Sequence, residues 1–330
     1  MSRGRLQGIL RGGLGVLVSV VSLVVVLHGV DLARTWSTLL AAVPAWVALT
    51  LVALSGDLLL RGLRWQRLVA PIRRVPYGRL LGYMLVGYFA NNVLPARLGE
   101  LVRSHYLGDR EGVSRTSTLG TVVVERVVDT GVLVAIAALA ILVLHVRGIV
   151  ASAVAVGLAL AALLALALVL AIVAHRLPGA DRARMMIGRW PRGRELVRKL
   201  RGGLAVAARP RTMAEAIALS CLAWACTVVG FAAAGQAVGI QLTTGEAALL
   251  AAGTNLATAI PSGPGYLGTF ELAAVRIAAA FGIGGDPALA LALLVHAASL
   301  VLTSAGGALV LVRLGWRRGP AALGEASPGE

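Results

Sequence analysis

Six apolar runs, each near the ~20 residues that carry a helix across a bilayer, leave this chain little choice of fold. They fall at about 12–30, 43–60, 117–146, 149–174, 213–238 and 287–313. The runs are continuous, whereas the strands of a transmembrane barrel alternate apolar and polar residues, so a barrel is excluded. The expected class is all-α: a polytopic α-helical membrane protein with about six full spans. A composition of 58% hydrophobic and 14% charged residues agrees with it.

Two further segments, about 80–107 and 247–281, are apolar but broken. The first holds Asn91-Asn92-Val93-Leu94-Pro95-Ala96-Arg97-Leu98-Gly99-Glu100. The second holds Ile260-Pro261-Ser262-Gly263-Pro264-Gly265-Tyr266-Leu267-Gly268-Thr269-Phe270-Glu271. Each has a proline, then Leu-Gly, then a glutamate. Proline lacks an N–H and clashes with the preceding turn. Irregular backbone at membrane depth persists only inside protein or beside a water-filled cavity. Each segment therefore reads as two half-helices meeting at a break. Broken helices at matching places in two halves point to a substrate site at the repeat interface.

Charge sets the expected topology. A net charge of +16 would suit nucleic acid in a soluble protein. Here the basic residues lie between apolar runs, where they orient the chain and meet anionic head groups, and no nucleic-acid partner is expected. Arg3, Arg5 and Arg11 precede the first run. The 61–79 connection holds Arg61, Arg64, Arg67, Arg73, Arg74 and Arg79 with no acid, and the 175–212 loop is the most basic of all. Arg313, Arg317 and Arg318 follow the last run. All four lie on the cytoplasmic side only if both broken segments are re-entrant hairpins. The expectation is then one transmembrane domain spanning 1–330, built as an inverted repeat of about 12–146 and 149–313, with both termini cytoplasmic. The first run reads as an uncleaved helix and the tail at 319–330 as disordered. The 175–212 loop reads as a basic connector or a surface helix with Met185, Met186, Ile187 and Trp190 towards lipid.

Charged residues at membrane depth cost a few kcal/mol each on insertion scales, so each needs a reason. Asn91 and Asn92 precede the first break. The half-helix after it offers N–H groups and a positive dipole end, a ready anion site, with Arg97 and Arg103 adding charge. Arg97 and Glu100 are also spaced to pair at i,i+3. Glu125 and Asp129 share a helix face, and Arg126 stands i,i+3 from Asp129. These carboxylates are expected to pair with Arg97 or Arg103, as a structural lock or, for Asp129, as a proton relay. Gly263, Pro264, Gly265 and Gly268 suit close passage of a ligand or tight packing. Glu271 is the acid of the second break, with Arg276 as a loose partner, and His296 lies mid-span in the last run. Asp57 is spaced to pair with Arg61, and Arg64-Trp65 reads as an interfacial pair, the arginine snorkelling to the head groups. Cys221 and Cys226 fall on different helix faces and show no metal-ligand spacing. No P-loop, G-x-S-x-G or H-E-x-x-H motif is present, and no metal or cofactor is expected.

At Asn92-Val93-Leu94-Pro95-Ala96-Arg97-Leu98-Gly99-Glu100-Leu101-Val102-Arg103, then Glu125-Arg126-Val127-Val128-Asp129, then Pro264-Gly265-Tyr266-Leu267-Gly268-Thr269-Phe270-Glu271, the chain resembles the lysylphosphatidylglycerol synthase transmembrane, or flippase-like, family. The resemblance covers nearly the whole chain. It implies a multi-pass protein of the inner (plasma) membrane, similar to the part of that synthase that moves lipid between leaflets, without the soluble synthase domain. It does not imply aminoacyl transfer. Members often carry arginine where His296 falls here. Some relatives are tied to glycosyltransferase systems and polyprenyl-phosphate lipids. The expected function is a lipid flippase holding an anionic head group between the hairpins. The alternatives are a non-transporting scaffold for a lipid- or glycan-modifying enzyme and, less favoured, an intramembrane transferase using Glu125 or Asp129.

Overall fold

The structure, a computed structural model, describes residues 3–94, 98–146, 202–260 and 262–316, with isolated positions 148, 152, 159 and 163. The expected span at 149–174, most of the 175–212 loop, the tail, and Pro95, Arg97 and Pro261 lie outside the described residues. All regular elements among the described residues are helices. They are α1 (Arg3–Leu27), α2 (Leu32–Leu40), α3 (Pro44–Val69), α4 (Tyr77–Val93), α5 (Gly99–Glu111), α6 (Arg115–Leu144), α7 (Pro210–Ala237), α8 (Thr244–Ala257), α9 (Thr269–Ala279) and α10 (Gly285–Trp316). A short 3-10 turn, Pro264–Tyr266, lies between α8 and α9.

Among the described residues, α3, α6, α7 and α10 are long and apolar enough to cross a membrane. Residues 15–27 of α1 and the whole of α2 meet the same test only together, as a pair bent by 87°. That corner is fastened to α10: Asp31 caps α2 through Ala33 N at 2.9 Å, and its own N–H donates to Asp286 Oδ1 at 2.8 Å. The apolar side chains that remain exposed on the long helices, such as Val52, Leu139, Leu142 and Val301, suit a lipid surround.

The broken segments form hairpins. At ~1.5 Å per residue, α4 and α5 reach about 25 and 20 Å, short of the ~30 Å hydrocarbon core. They lie side by side because Gly87 and Gly99 bring the backbones into contact; a Cβ at Gly87 would stand 2.8 Å from the Gly99 carbonyl. Their far ends also meet, with Arg79 Nη1 3.1 Å from Glu111 Oε1 and Tyr83 donating to the same oxygen at 2.8 Å. The start of α4 and the end of α5 are thus neighbours. In the second hairpin α8 packs along α9, Gly253 against Ile277.

Helix pairing has a two-fold character. Helices α3 and α7 form the most extensive contact, and Gly230 and Gly56 admit Leu54 and Cys226 across it. Every other packed pair within α3–α6 and α7–α10 has a counterpart when the two sets exchange: α4·α10 with α8·α6, α5·α6 with α9·α10, α3·α4 with α7·α8, and α3·α10 with α7·α6. The core follows the same seam. Its main cluster joins Leu54, Leu133, Trp224, Phe231, Leu250, Phe270 and Leu291.

One boundary departs from expectation with consequences for the site. The apolar run ends near residue 60, but α3 continues to Val69. Arg64 and Trp65 are fully buried instead of sitting at the membrane interface. The hydropathy falls there because the added turns face an ionic interior, not because the chain leaves the protein.

Candidate functional site

Four arginines and three carboxylates converge behind the first hairpin. Arg61 Nε bonds both Asp57 oxygens at 2.8 Å, and its Nη1 donates to Asp129 Oδ2 at 2.8 Å. Arg64 Nη1 donates to Asp129 Oδ1 at 2.6 Å and to Ser220 Oγ at 2.7 Å, and Nη2 to Glu125 Oε1 at 3.0 Å. Trp224 Nε1 adds a third helix at 3.0 Å from Asp129 Oδ1. Arg103 Nη2 lies 2.9 Å from Glu125 Oε2, an ion pair without hydrogen-bond alignment. Arg103 stacks on Trp65 and Arg61 on Trp224, at 4.9 and 4.5 Å, as guanidinium planes do over aromatic faces. The expected pairing of Glu125 with Arg103 is present. Arg126 turns to Glu125 at 3.3 Å rather than to Asp129. Both oxygens of Asp129 are held by arginine or indole donors, an arrangement that fixes an anion and gives the relay role no support.

In front of this network lies a partly open cavity of about 230 Å3, walled by both halves. Asp57 and Arg61 reach it from α3, Tyr88, Asn91 and Asn92 from α4, Glu100 from α5 and Arg126 from α6. The second half brings Asn255, Thr258, Tyr266, Phe270 and His296. Of the predicted residues, Asn91, Asn92, Glu100, Arg126 and His296 line it. Arg103, Glu125 and Asp129 stand behind the wall. Gly263, Pro264, Gly265, Gly268 and Glu271 do not line it, and Arg97 lies outside the described residues.

Arg126 is the cavity's least committed cation. Its side chain is 40% exposed, and among the described residues its buried Nε has no hydrogen-bond partner and its one ion pair is with Glu125. Glu100, opposite, has no ion-pair partner among the described residues. The α5 N-terminus is less free than the sequence suggests, because Asn91 Oδ1 accepts from Gly99 N at 2.7 Å. Asn92 Nδ2 is spent on α10, donating to Thr303 and Ser304 hydroxyls at 2.9 Å each.

The second break is tied differently. Glu271 Oε2 accepts from Gly268 N at 2.7 Å and caps α9. Its Oε1 lies 2.6 Å from His296 Nδ1, and His296 Nε2 lies 2.8 Å from the Gly265 carbonyl. Glu271 thus turns to His296, not to Arg276. Gly268 adopts φ 86°, and a Cβ there would stand 2.5 Å from Ser19 O on α1, so glycine is required on two counts. The two breaks abut: a Cβ on Gly265 would be 3.7 Å from Asn92 O.

Sequence reasoning missed Asn255 and Arg64. Asn255 had a signal, an amide in an apolar run ahead of a break, as Asn91 and Asn92 are. Arg64 had none that separates it from a loop arginine.

Among known proteins, glycosyltransferase AglD of Haloferax volcanii is 27% identical over 328 residues, covering 89% of this chain and 53% of that protein. The chain thus spans about half the length of this curated relative. The model of the lysylphosphatidylglycerol synthase TM region matches residues 13–307, a stretch that takes in α3 to α9, both breaks and the cavity, and the chain belongs to that family of multi-pass membrane proteins.

Proposed function

We propose that this protein moves an anionic lipid, a phospholipid or a polyprenyl phosphate, between the leaflets of the plasma membrane. The observation that carries the reading is the polar cavity between the two hairpins, with Arg126 in its lining and the Arg126 Nε without a hydrogen-bond partner among the described residues. Guanidinium binds phosphate in a bidentate, charge-assisted way. At about 230 Å3 the cavity is smaller than the ~300–1,000 Å3 of drug-sized ligand sites, which suits a head group whose tails stay in lipid. The cytoplasmic placement of both termini follows from the basic segments and belongs to the same reading.

The test is a leaflet-accessibility assay in proteoliposomes with phosphatidylglycerol, phosphatidylethanolamine and a polyprenyl phosphate. Acceleration over empty liposomes is expected for the anionic lipids, and most of it is lost in Arg126→Gln with unchanged thermal unfolding. Equal rates in that variant would remove Arg126 from the site. No acceleration for any lipid by well-folded protein favours a second reading, a membrane partner of a lipid- or glycan-modifying enzyme. That reading draws on the relative named as a glycosyltransferase, which is about twice as long.

A further inference from the structure

We propose that Glu271 and His296 form a proton-binding site that pins the second break, and that the cavity's ligand is exchanged in step with that proton. The argument begins with a proton count. The Gly265 carbonyl can only accept, so His296 Nε2, 2.8 Å away, must carry a hydrogen. Nδ1 then faces Glu271 Oε1 at 2.6 Å. A contact that short needs a proton between the two atoms. It sits either on the ring, giving an imidazolium and a carboxylate, or on the acid, giving a neutral pair. Both forms hold one proton more than a neutral histidine beside a carboxylate, so the proton belongs to the pair rather than to either residue.

Removing that proton breaks the arrangement whichever tautomer remains. With hydrogen on Nε2, the Nδ1 lone pair opposes the carboxylate. With hydrogen on Nδ1, the Nε2 lone pair opposes the Gly265 carbonyl. The link runs through three elements: α10 carries His296, the 3-10 turn carries Gly265, and Glu271 caps α9 through Gly268 N. Both partners are buried, His296 at 6% and Glu271 at 3% exposed, and Phe270 stacks on the imidazole with ring centres 4.5 Å apart. The clamp is therefore complete while the pair holds its proton and lost when that proton leaves.

The proton has a route and the site has a neighbour to influence. His296 and Phe270 line the cavity, so the His296 side of the pair borders it. The charged and titratable groups facing it across that space are Asp57 and Arg61 of α3, Tyr88 of α4, Glu100 of α5, Arg126 of α6, and Tyr266 of the turn. Helices α7 and α8 bring no titratable side chain to the wall, and α1 meets the second break with Ser19. An anionic head group on Arg126 would favour the protonated pair, and proton loss would loosen the break that borders the cavity. This coupling rests on the transport reading; the proton site does not.

Hydrogen–deuterium exchange of the 262–272 segment in nanodiscs, corrected for intrinsic rates, tests the site directly. Between about pH 6 and pH 9, wild-type protection should fall on the order of tenfold, as for loss of one hydrogen bond to a charged group. His296→Arg keeps a permanent cation facing Glu271 and should stay protected across the range. His296→Gln should be poorly protected at both ends. Wild-type protection that is flat with pH overturns the proton site, as does a His296→Arg profile that falls like wild type. Wild type and His296→Arg in phosphatidylglycerol vesicles then test the coupling. Lipid movement that varies with pH only in wild type supports it, and movement indifferent to pH in wild type overturns it. An absence of movement at every pH overturns the transport reading and, with it, the coupling, while the exchange result stands.

Discussion

The two hairpins solve one problem with different chemistry. Each must hold a half-helix N-terminus inside the membrane, and each caps it with a side chain: Asn91 on Gly99 N in the first, Glu271 on Gly268 N in the second. Each is also tied to α10. The first uses Asn92 on Thr303 and Ser304, the second His296 on Gly265. Behind the first lies a network of four arginines and three carboxylates paired with one another. The second hangs on one imidazole and one acid. The first hairpin is built as a fixed wall, and the second as the wall whose attachment depends on solvent.

The largest way to break this comparison is to open the fixed wall. Arg64→Ala leaves Glu125, Asp129 and Ser220 buried without a main donor, and about 3–5 kcal/mol of stability should go with it, as for a buried pair losing one partner. Thermal unfolding in detergent measures this. Adding Glu125→Gln should restore part of the loss, because the sites are coupled. Strictly additive losses would mean that Arg64 does not lock the network.

Much of this wall was legible and its centre was not. Asp57 and Arg61 could be paired from their i,i+4 spacing, and Glu125 with Arg97 or Arg103 because a carboxylate at membrane depth needs a partner. Arg64 pairs across 61 and 65 residues of sequence to Glu125 and Asp129, a relation that hydropathy cannot carry. Its own turn of α3 looked like a basic loop because hydropathy reports mean polarity, not whether the polar face turns to water or to a buried carboxylate. Removing Arg61 and Arg64 from the 61–79 connection still leaves Arg67, Arg73, Arg74 and Arg79 there without an acid, so the basis for the topology survives. At the second break, Pro, Gly and Glu announced irregular backbone, but the bond from His296 to Gly265 joins positions 31 apart and had no local sign.

A smaller effect comes from the backbone of the movable wall. Gly268→Ala meets a left-handed φ worth about 1–2 kcal/mol and a clash with Ser19 O. It should destabilise by about 2–3 kcal/mol once overpacking is included and detach the second break from α1. Asn92→Ala, at the fixed wall, loses two neutral hydrogen bonds, about 1–3 kcal/mol at 0.5–1.5 each. If the hairpins differ as described, Asn92→Ala should lower the unfolding temperature equally at pH 6 and pH 8. A pH-dependent loss there would remove the distinction between the walls.

The smallest energetic effect belongs to the pair that closes the first hairpin, and it bears hardest on the architecture. Arg79 is 58% exposed on its side chain, and Glu111, 3.1 Å away, is 8% exposed. A pair with one solvated partner contributes about 0.2–1 kcal/mol, so Arg79→Ala should barely shift unfolding. Its value lies in position. Residue 79 opens α4 and residue 111 closes α5, so contact between them requires the segment to enter and leave by one face. Single cysteines at 79 and 111, in a background without Cys221 and Cys226, should therefore react with a membrane-impermeant thiol reagent from the same side. The double-cysteine protein should cross-link through a short bridge. Labelling from opposite sides would make 80–107 a crossing segment. The basic segments would then divide between the two faces, and the exchange of α3–α6 with α7–α10 would no longer describe an inverted repeat. Labelling from the same side, with cysteines in the 190–200 stretch joining it, places the 61–79 and 175–212 segments on one face and leaves the first break pointing into the bilayer, where the cavity needs it.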